Sequence, residues 1–164
     1  VSDAEIVRAG TIVPTSPTDA FRLFTEEVDA WWRRGPRFRF RPGRDGEMRF
    51  EGGAGGRLVE VFDAAAGDVY EVGRILVWDP PAHLAFEFRP RAFGPDETTR
   101  VDVRFEPAAG GTRVSVVHAG FEALAPDHPV RHGLAGPAFG AMMGVWWADQ
   151  LVAARARVAA RAPA

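Results

Sequence analysis

The sequence contains no cysteine and no lysine; its 20 basic residues are all arginine, set against 22 acids for a net charge of −2. Without cysteine there are no disulfides, no thiolate catalysis and no Cys-ligated zinc, and the redox compartment stays undetermined. The absence of lysine reads as biased coding composition, since a functional demand would fall on particular sites. The near balance of charge leaves no whole-molecule field to draw nucleic acid or an anionic membrane. Nucleotide motifs are missing too, because Gly52-Gly53-Ala54-Gly55-Gly56 is followed by no GK[ST] and lacks GxGxxG spacing. No GxSxG nucleophile elbow occurs, so covalent catalysis has no visible agent. Val1 to Gly10 carries Asp3, Glu5 and Arg8 and no apolar h-region, which predicts no signal peptide and a cytoplasmic location. Long apolar runs are also scarce. The longest charge-free stretch, Gly133 to Ala148, holds Pro137 and several glycines and falls short of the roughly 20 apolar residues of a membrane span.

The 164 residues that remain to be explained fit one domain, 1–164. Glu5 to Val13 reads as an opening strand. Ser16 then offers an N-cap, Pro17 suits the first helical position, and Asp19 sits at the positive end of the dipole. Phe21, Phe24, Val28 and Trp31/Trp32 follow at steps of three and four, one apolar stripe that ends before Gly35-Pro36. Phe38 and Phe40 alternate with Arg37, Arg39 and Arg41, and after Asp45-Gly46 so do Met48 and Phe50 with Glu47, Arg49 and Glu51, which predicts a hairpin. Gly52 to Gly56 reads as a flexible hinge. Four more strands besides Arg57 to Phe62 are expected over Val69 to Trp78, His83 to Arg89, Thr98 to Glu106 and Thr112 to His118. A final helix runs from about Pro137 to about Arg161, with Phe139, Met142, Met143, Trp146, Trp147, Leu151, Ala154 and Val158 as its apolar band. Gly136, Gly140 and Gly144 lie one turn apart on it, and each interior helical glycine costs roughly 1 kcal/mol against alanine. Close approach to the sheet or a ligand, or a loose first turn and a half, accounts for them equally well.

Strand, helix, antiparallel meander and long terminal helix is the order of a helix-grip fold. Within it, Ala20-Phe21-x-x-Phe24 before Trp31-Trp32, Gly55-Gly56-Arg57-Leu58-Val59-Glu60, Gly73-Arg74 through Trp78-Asp79-Pro80-Pro81 with Leu84 after it, and His118-x-Gly120-Phe121 occur in sequence. In these strings the chain resembles the bacterial family named for its similarity to the activator of the heat-shock-protein-90 ATPase, in the START-like superfamily abbreviated SRPBCC. The resemblance implies an α+β fold in which a curved antiparallel β-sheet wraps around a long C-terminal α-helix, with an elongated pocket between them. It implies no single reaction, since the superfamily includes lipid carriers, hormone receptors and polyketide aromatases and cyclases.

Chemistry-bearing residues are few. His118 shares its phase with Val114 and Val116 and so faces inward, either as a pocket hydrogen-bonding or acid/base group or as a tie between the strand end and a neighbouring loop. Glu60 and Glu71 both fall on apolar-looking phases, where burial would disfavour their charge unless an arginine such as Arg57 or Arg74 pairs with them. His128 and His132 are spaced for a metal on a helix, but Pro129 makes the segment a loop and no third ligand is dictated, so an exposed pair is expected and no metal. Arg33, Arg34, Arg37, Arg39, Arg41, Arg44 and Arg49 crowd one region. A solvated strand face ranks first there, a cationic mouth for an anionic apolar ligand second and single-stranded nucleic acid third.

The expected function is binding of a small hydrophobic, lipid-like or aromatic molecule. Its walls are Trp31, Trp32, Phe50, Trp78, Phe86, Phe88, His118, Phe121, Met142, Met143 and Trp146, apolar surfaces with a few polar anchors. No cofactor is expected. Two alternatives stay open: a cyclase- or aromatase-like enzyme using His118 with an inward Glu or Arg, and a chaperone- or protein-interaction module using the Arg-rich face. A homodimer is compatible with the sequence.

Overall fold

The computed structural model describes residues 5–161, so the expectation drawn from Val1 to Gly10 falls partly outside it. Strand β1 (Val7–Val13) leads into helices α1 (Pro17–Glu26) and α2 (Val28–Trp31). Strands β2 (Glu47–Glu51), β3 (Arg57–Asp63), β4 (Asp68–Asp79), β5 (His83–Phe88), β6 (Thr99–Ala108) and β7 (Gly111–Ala119) follow, and helix α3 (Gly136–Arg161) ends the described chain. The strands form one seven-stranded sheet in the order β1-β7-β6-β5-β4-β3-β2, with every neighbouring pair antiparallel. This is the α+β helix-grip arrangement, a curved open sheet with the long helix against it. No helix among the described residues is long and apolar enough to cross a membrane.

Period-two alternation places the core. Leu84, Phe86 and Phe88 of β5, Val101, Val103 and Phe105 of β6, and Val114, Val116 and His118 of β7 are all buried. The register aligns Phe86 with Val101 and Val101 with His118, so these three side chains form one row across the inner face. From α3, Phe139, Met143, Trp147, Leu151, Ala154 and Val158 bury themselves at steps of three and four. The Ser16 hydroxyl caps α1 by accepting from the Asp19 amide at 3.2 Å, as its position predicts. Past Glu26 the expected single helix breaks, because Glu27 leaves helical geometry at φ −112, ψ 30 and α2 starts anew.

Residues 37–41 do not form a strand. Phe38, Arg39 and Phe40 are consecutive and all buried, a pattern no half-buried strand can make. Their amides are held by a turn and a side chain instead of by a ladder: those of Phe38 and Arg39 donate to the Gly35 carbonyl at 3.1 and 2.9 Å, and that of Phe40 to Glu60. Strand β2 accordingly pairs with β3, Met48 opposite Glu60. Gly52 to Gly56 is a built turn and not a hinge: the Gly56 amide donates to Gly53 at 2.9 Å and the Gly55 amide to Ile75 at 2.9 Å. At Gly56 a Cβ would run into the Glu51 carbonyl, so glycine is required there.

A bulge reverses one assignment. The pairing of β3 with β4 shifts between Leu58 and Val59, so that Leu58 faces Gly73 while Val59 faces Glu71. Val72 takes the inward place and Glu71 is exposed, whereas Glu60 is fully buried. Two of the three helical glycines give no close approach: at Gly136 and Gly144 a Cβ would meet nothing within 4 Å, and Gly136 starts the helix at φ +53.

Candidate functional site

The aromatic side chains of α2, β5 and α3 meet in one continuous layer between the last helix and the sheet. Trp32 lies within ring–ring distance of Trp31 (5.6 Å), Phe40 (6.2 Å), Phe88 (6.5 Å), Trp146 (5.8 Å) and Trp147 (6.4 Å). Phe88 reaches His118 at 5.1 Å and Trp146 at 5.7 Å, and His118 reaches Phe121 at 4.5 Å. The residues expected as pocket walls therefore divide into two groups. Trp31, Trp32, Phe88, His118, Phe121 and Trp146 form the first, with Met143 buried in the same core and Met142 half-buried beside it. Phe50, Trp78 and Phe86 form the second, where Phe50 lies 6.2 Å from Trp78 and 5.5 Å from Phe86. Phe21, Phe105 and Phe24 bridge the two groups through Trp78 and Trp31.

His118 sits at the centre of the first group with both nitrogens engaged. An indole N–H can only donate, so the Trp147 Nε1–H donates to His118 Nδ1 at 3.1 Å and the imidazole proton resides on Nε2. Nε2–H donates to Thr99 Oγ1 at 2.8 Å, and the Thr99 hydroxyl passes its own proton donation on to the Phe88 carbonyl at 2.7 Å. Complete burial pushes the imidazole pKa down from 6.5 to about 3, so it is neutral at physiological pH. The chain of bonds ties α3 to β7, β6 and β5 in turn. This is the tie between a strand end and its neighbours, with a helix where a loop was expected.

Residues 33–46 lie over the end of this layer, fixed by a buried ionic cluster. Arg39 donates to the carbonyls of Arg33 (3.0 Å), Trp32 (2.8 Å) and Gly46 (2.8 Å) and to Asp29 Oδ1 (3.0 Å). Glu60 accepts from the amides of Phe40 and Gly46, each at 2.9 Å, with Oε2 3.7 Å from Arg39 Nη1. The Asp29 carboxylate also takes the Met48 amide at 2.9 Å. Glu60 is thus a paired structural acid, its partner Arg39 and not Arg57 or Arg74. Of the arginine cluster, Arg33, Arg34, Arg37, Arg44 and Arg49 are exposed and Arg41 is half-buried, but Arg49 alone sits on a strand, so the expected solvated strand face shrinks to that residue, and Arg39 is buried. On the outer side, the Trp146 Nε1–H donates to the Arg37 carbonyl at 2.7 Å, and Arg37 lies 3.7 Å from Asp149.

The histidine pair separates. His128 is buried, its Nδ1 accepting from the Val130 amide at 3.2 Å as the cap of a short 3-10 turn and its Nε2 3.2 Å from Glu97 Oε1, whereas His132 is exposed. Among the described residues no group of three or more acids and histidines could hold a metal ion.

Open space lies toward the other end of α3. A groove of about 350 Å³ runs between α1 and the end of α3, lined by Pro14, Thr15, Asp19, Arg22, Leu23, Glu26, Glu27, Val158 and Arg161. Beneath it, a cleft of about 10 Å³ separates α3 from β1 and β7, bounded by Thr11, Val13, Leu23, Val114, Leu151 and Ala154 among others. The walls expected from the sequence line neither opening; in this conformation their own side chains meet.

Three residues important to the layer were not singled out from the sequence. Thr99 gave no signal, since a threonine starting a strand is ordinary. Trp147 stood out beside Trp146 in the last helix's apolar band, but nothing in the sequence paired it with His118. Gln150 is fully buried at a helical position where the band continues, and its Oε1 accepts the Arg33 amide at 2.9 Å.

Comparison with solved structures gives the same fold. Protein MLL2253 from Mesorhizobium loti superposes with a TM-score of 0.65 at 17% identity, covering 97% of this chain and 99% of that one. The Aha1 dimer from Colwellia psychrerythraea gives 0.60 at 14% identity, covering 92% of each chain. DynU16, a protein of the dynemicin biosynthetic locus, gives 0.61 at 17% identity, covering 92% of this chain and 46% of that one. A search of curated proteins finds no matching sequence. The family model described as "Activator of Hsp90 ATPase homolog 1-like protein" matches residues 14–136, most of the chain, and with the fold that surrounds the Trp32–His118 layer it places the chain in that family.

Proposed function

We propose that the protein binds one small, largely hydrophobic or aromatic molecule between α3 and the sheet. The walls are the aromatic layer and its neighbours: Trp31, Trp32, Phe50, Trp78, Phe86, Phe88, His118, Phe121, Met142, Met143 and Trp146. The observation that carries this reading is the position of Trp32, whose ring touches rings from α2, β5, α3 and the 33–46 segment at once. A guest ring that enters such a layer must part these buried rings, and the aromatic contacts it makes in return offset that cost. The way in lies at Trp146, which is half-buried and held to the segment by one bond to a carbonyl and by the Phe38 ring at 5.6 Å, with the Arg37–Asp149 pair beside it, 63% and 40% exposed, a pair of the weakly stabilising kind.

Binding is favoured over turnover because His118, the group an acid/base mechanism would use, is neutral and has no free nitrogen. The test is titration with an environment-sensitive naphthalene dye. Saturable one-to-one binding, reversed by an unlabelled aromatic competitor, supports the reading; a folded sample that binds no dye saturably overturns it.

One observation favours self-association as a second reading. Val145 and Val152, 57% and 62% exposed, stand two turns apart on the outer side of α3, with exposed Ala141 before them and exposed Ala148 between. The Colwellia relative is described as a dimer. Light scattering on the wild type and on Val145→Glu/Val152→Glu tests it: a dimer made monomeric by the double change supports the reading, and a monomeric wild type at 100-micromolar order concentration (about 0.1 mM) removes it.

A further inference from the structure

We propose that Gln150 is the polar anchor of the ligand site, donating a hydrogen bond from its side-chain amide to a neutral carbonyl oxygen on an aromatic ligand. The assignment rests on the ligand-binding reading above and adds the chemistry of what is bound.

Gln150 is fully buried where α3 meets the end of α2. Its Oε1 accepts the Arg33 amide at 2.9 Å. That bond settles the orientation of the amide, because the flipped group would set an NH2 against a backbone N–H, donor against donor. Nε2 is then left with no partner, the buried side-chain polar atom of which this is true among the described residues. The buried indoles around it are satisfied: the Trp31 indole donates to the Phe24 carbonyl at 3.1 Å, the Trp32 indole to the Phe38 carbonyl at 2.9 Å, and the Trp147 indole to His118. A buried donor without a protein acceptor loses its hydration and gains nothing in return, so a ligand oxygen placed there would gain a hydrogen bond at little further desolvation cost.

The missing group is defined by its surroundings. Nε2 can only donate, so the partner must accept. Gln150 lies one turn from Trp146 and Trp147 on α3, and its bond to the Arg33 amide ties it to the residue that follows Trp32, so the ligand's body is apolar and flat enough to lie among indoles. The nearby guanidiniums of Arg33 and Arg37 lie out at Phe38, 5.7 and 5.2 Å from its ring, and both residues are exposed. A single neutral amide does not compensate a buried carboxylate, whereas it matches a ketone oxygen.

The test uses a matched pair, 2-acetylnaphthalene and 2-ethylnaphthalene, which differ in the carbonyl alone. In Gln150→Met the ketone should bind about five- to tenfold more weakly than to the wild type, the scale of one net hydrogen bond. The hydrocarbon should change by less than about twofold. A thermal melt of the variant checks that it folds. The wild type gives an independent readout: the carbonyl stretch of bound 2-acetylnaphthalene should lie at the frequency of a hydrogen-bonded ketone. A stretch at the free-carbonyl position, or an equal loss for both compounds in Gln150→Met, overturns the anchor while leaving ligand binding intact. Failure of both compounds to bind the wild type saturably removes the anchor and the reading beneath it together.

Discussion

Trp147 on α3 and His118 on β7 share one hydrogen bond, indole Nε1 to imidazole Nδ1 at 3.1 Å, and it fixes both the tautomer of the histidine and the seat of the helix. A histidine so placed couples stability to pH. The folded protein keeps His118 neutral down to about pH 3, while the unfolded chain takes up the proton near 6.5. Between those values the unfolded state binds more protons, so stability is complete above pH 6.5 and falls as the pH is lowered. One such group gives a slope approaching about 1.4 kcal/mol per pH unit. Urea denaturation at about pH 7, 6 and 5 measures it, above the range in which Glu5, Asp68 and Asp102, held low chiefly by hydrogen bonds from their arginine partners, lose their own contributions. His118→Asn should lower stability at neutral pH by about 1–3 kcal/mol through the bonds it cannot remake, and should flatten the slope. An unchanged slope in the variant would place the titrating group elsewhere.

The Arg39 cluster predicts a large, non-additive effect. Arg39→Met strands Glu60 and leaves three backbone carbonyls without their donor. Removing one member of a buried pair costs about 3–5 kcal/mol. Adding Glu60→Gln to Arg39→Met should cost less than Glu60→Gln does alone, because the uncompensated carboxylate is then gone. Denaturant midpoints of the two single variants and the double variant measure the coupling, and strict additivity would contradict the cluster.

Gly144→Ala should stabilise the protein by about 1 kcal/mol. The position is helical, and a Cβ there meets nothing within 4 Å. A destabilised variant in thermal melts would show that the glycine serves a contact absent from this conformation.

Much of the fold was readable from local pattern, and the failures share a cause. The phases of β5, β6 and β7 and the Ser16 cap depend on neighbours in sequence, and these came out as expected. Residues 37–41 alternate as a strand does, yet Arg39 points inward because Asp29 on the preceding helix and Glu60 on β3 make a place for its charge. Glu71 was put on the inner face by counting in twos, and the bulge at Val72 shifts the count by one. The inward aim of His118 was legible from Val114 and Val116, but its partners Trp147 and Thr99 come from other elements. A glutamine at 150 carries no signal by its type alone; helical counting from Trp147 and Met143 puts it on the buried face, where a polar group asks for an explanation.

The most direct test of ligand binding between α3 and the sheet is a titration of the ¹⁵N-labelled protein with 2-ethylnaphthalene, followed at the indole N–H resonances of its 5 tryptophans. The account predicts that the signals of Trp32, Trp146 and Trp147 shift together and saturate at one equivalent. Indole signals that stay in place up to the solubility of the hydrocarbon, or shifts confined to backbone amides lining the groove between α1 and the end of α3, would contradict it.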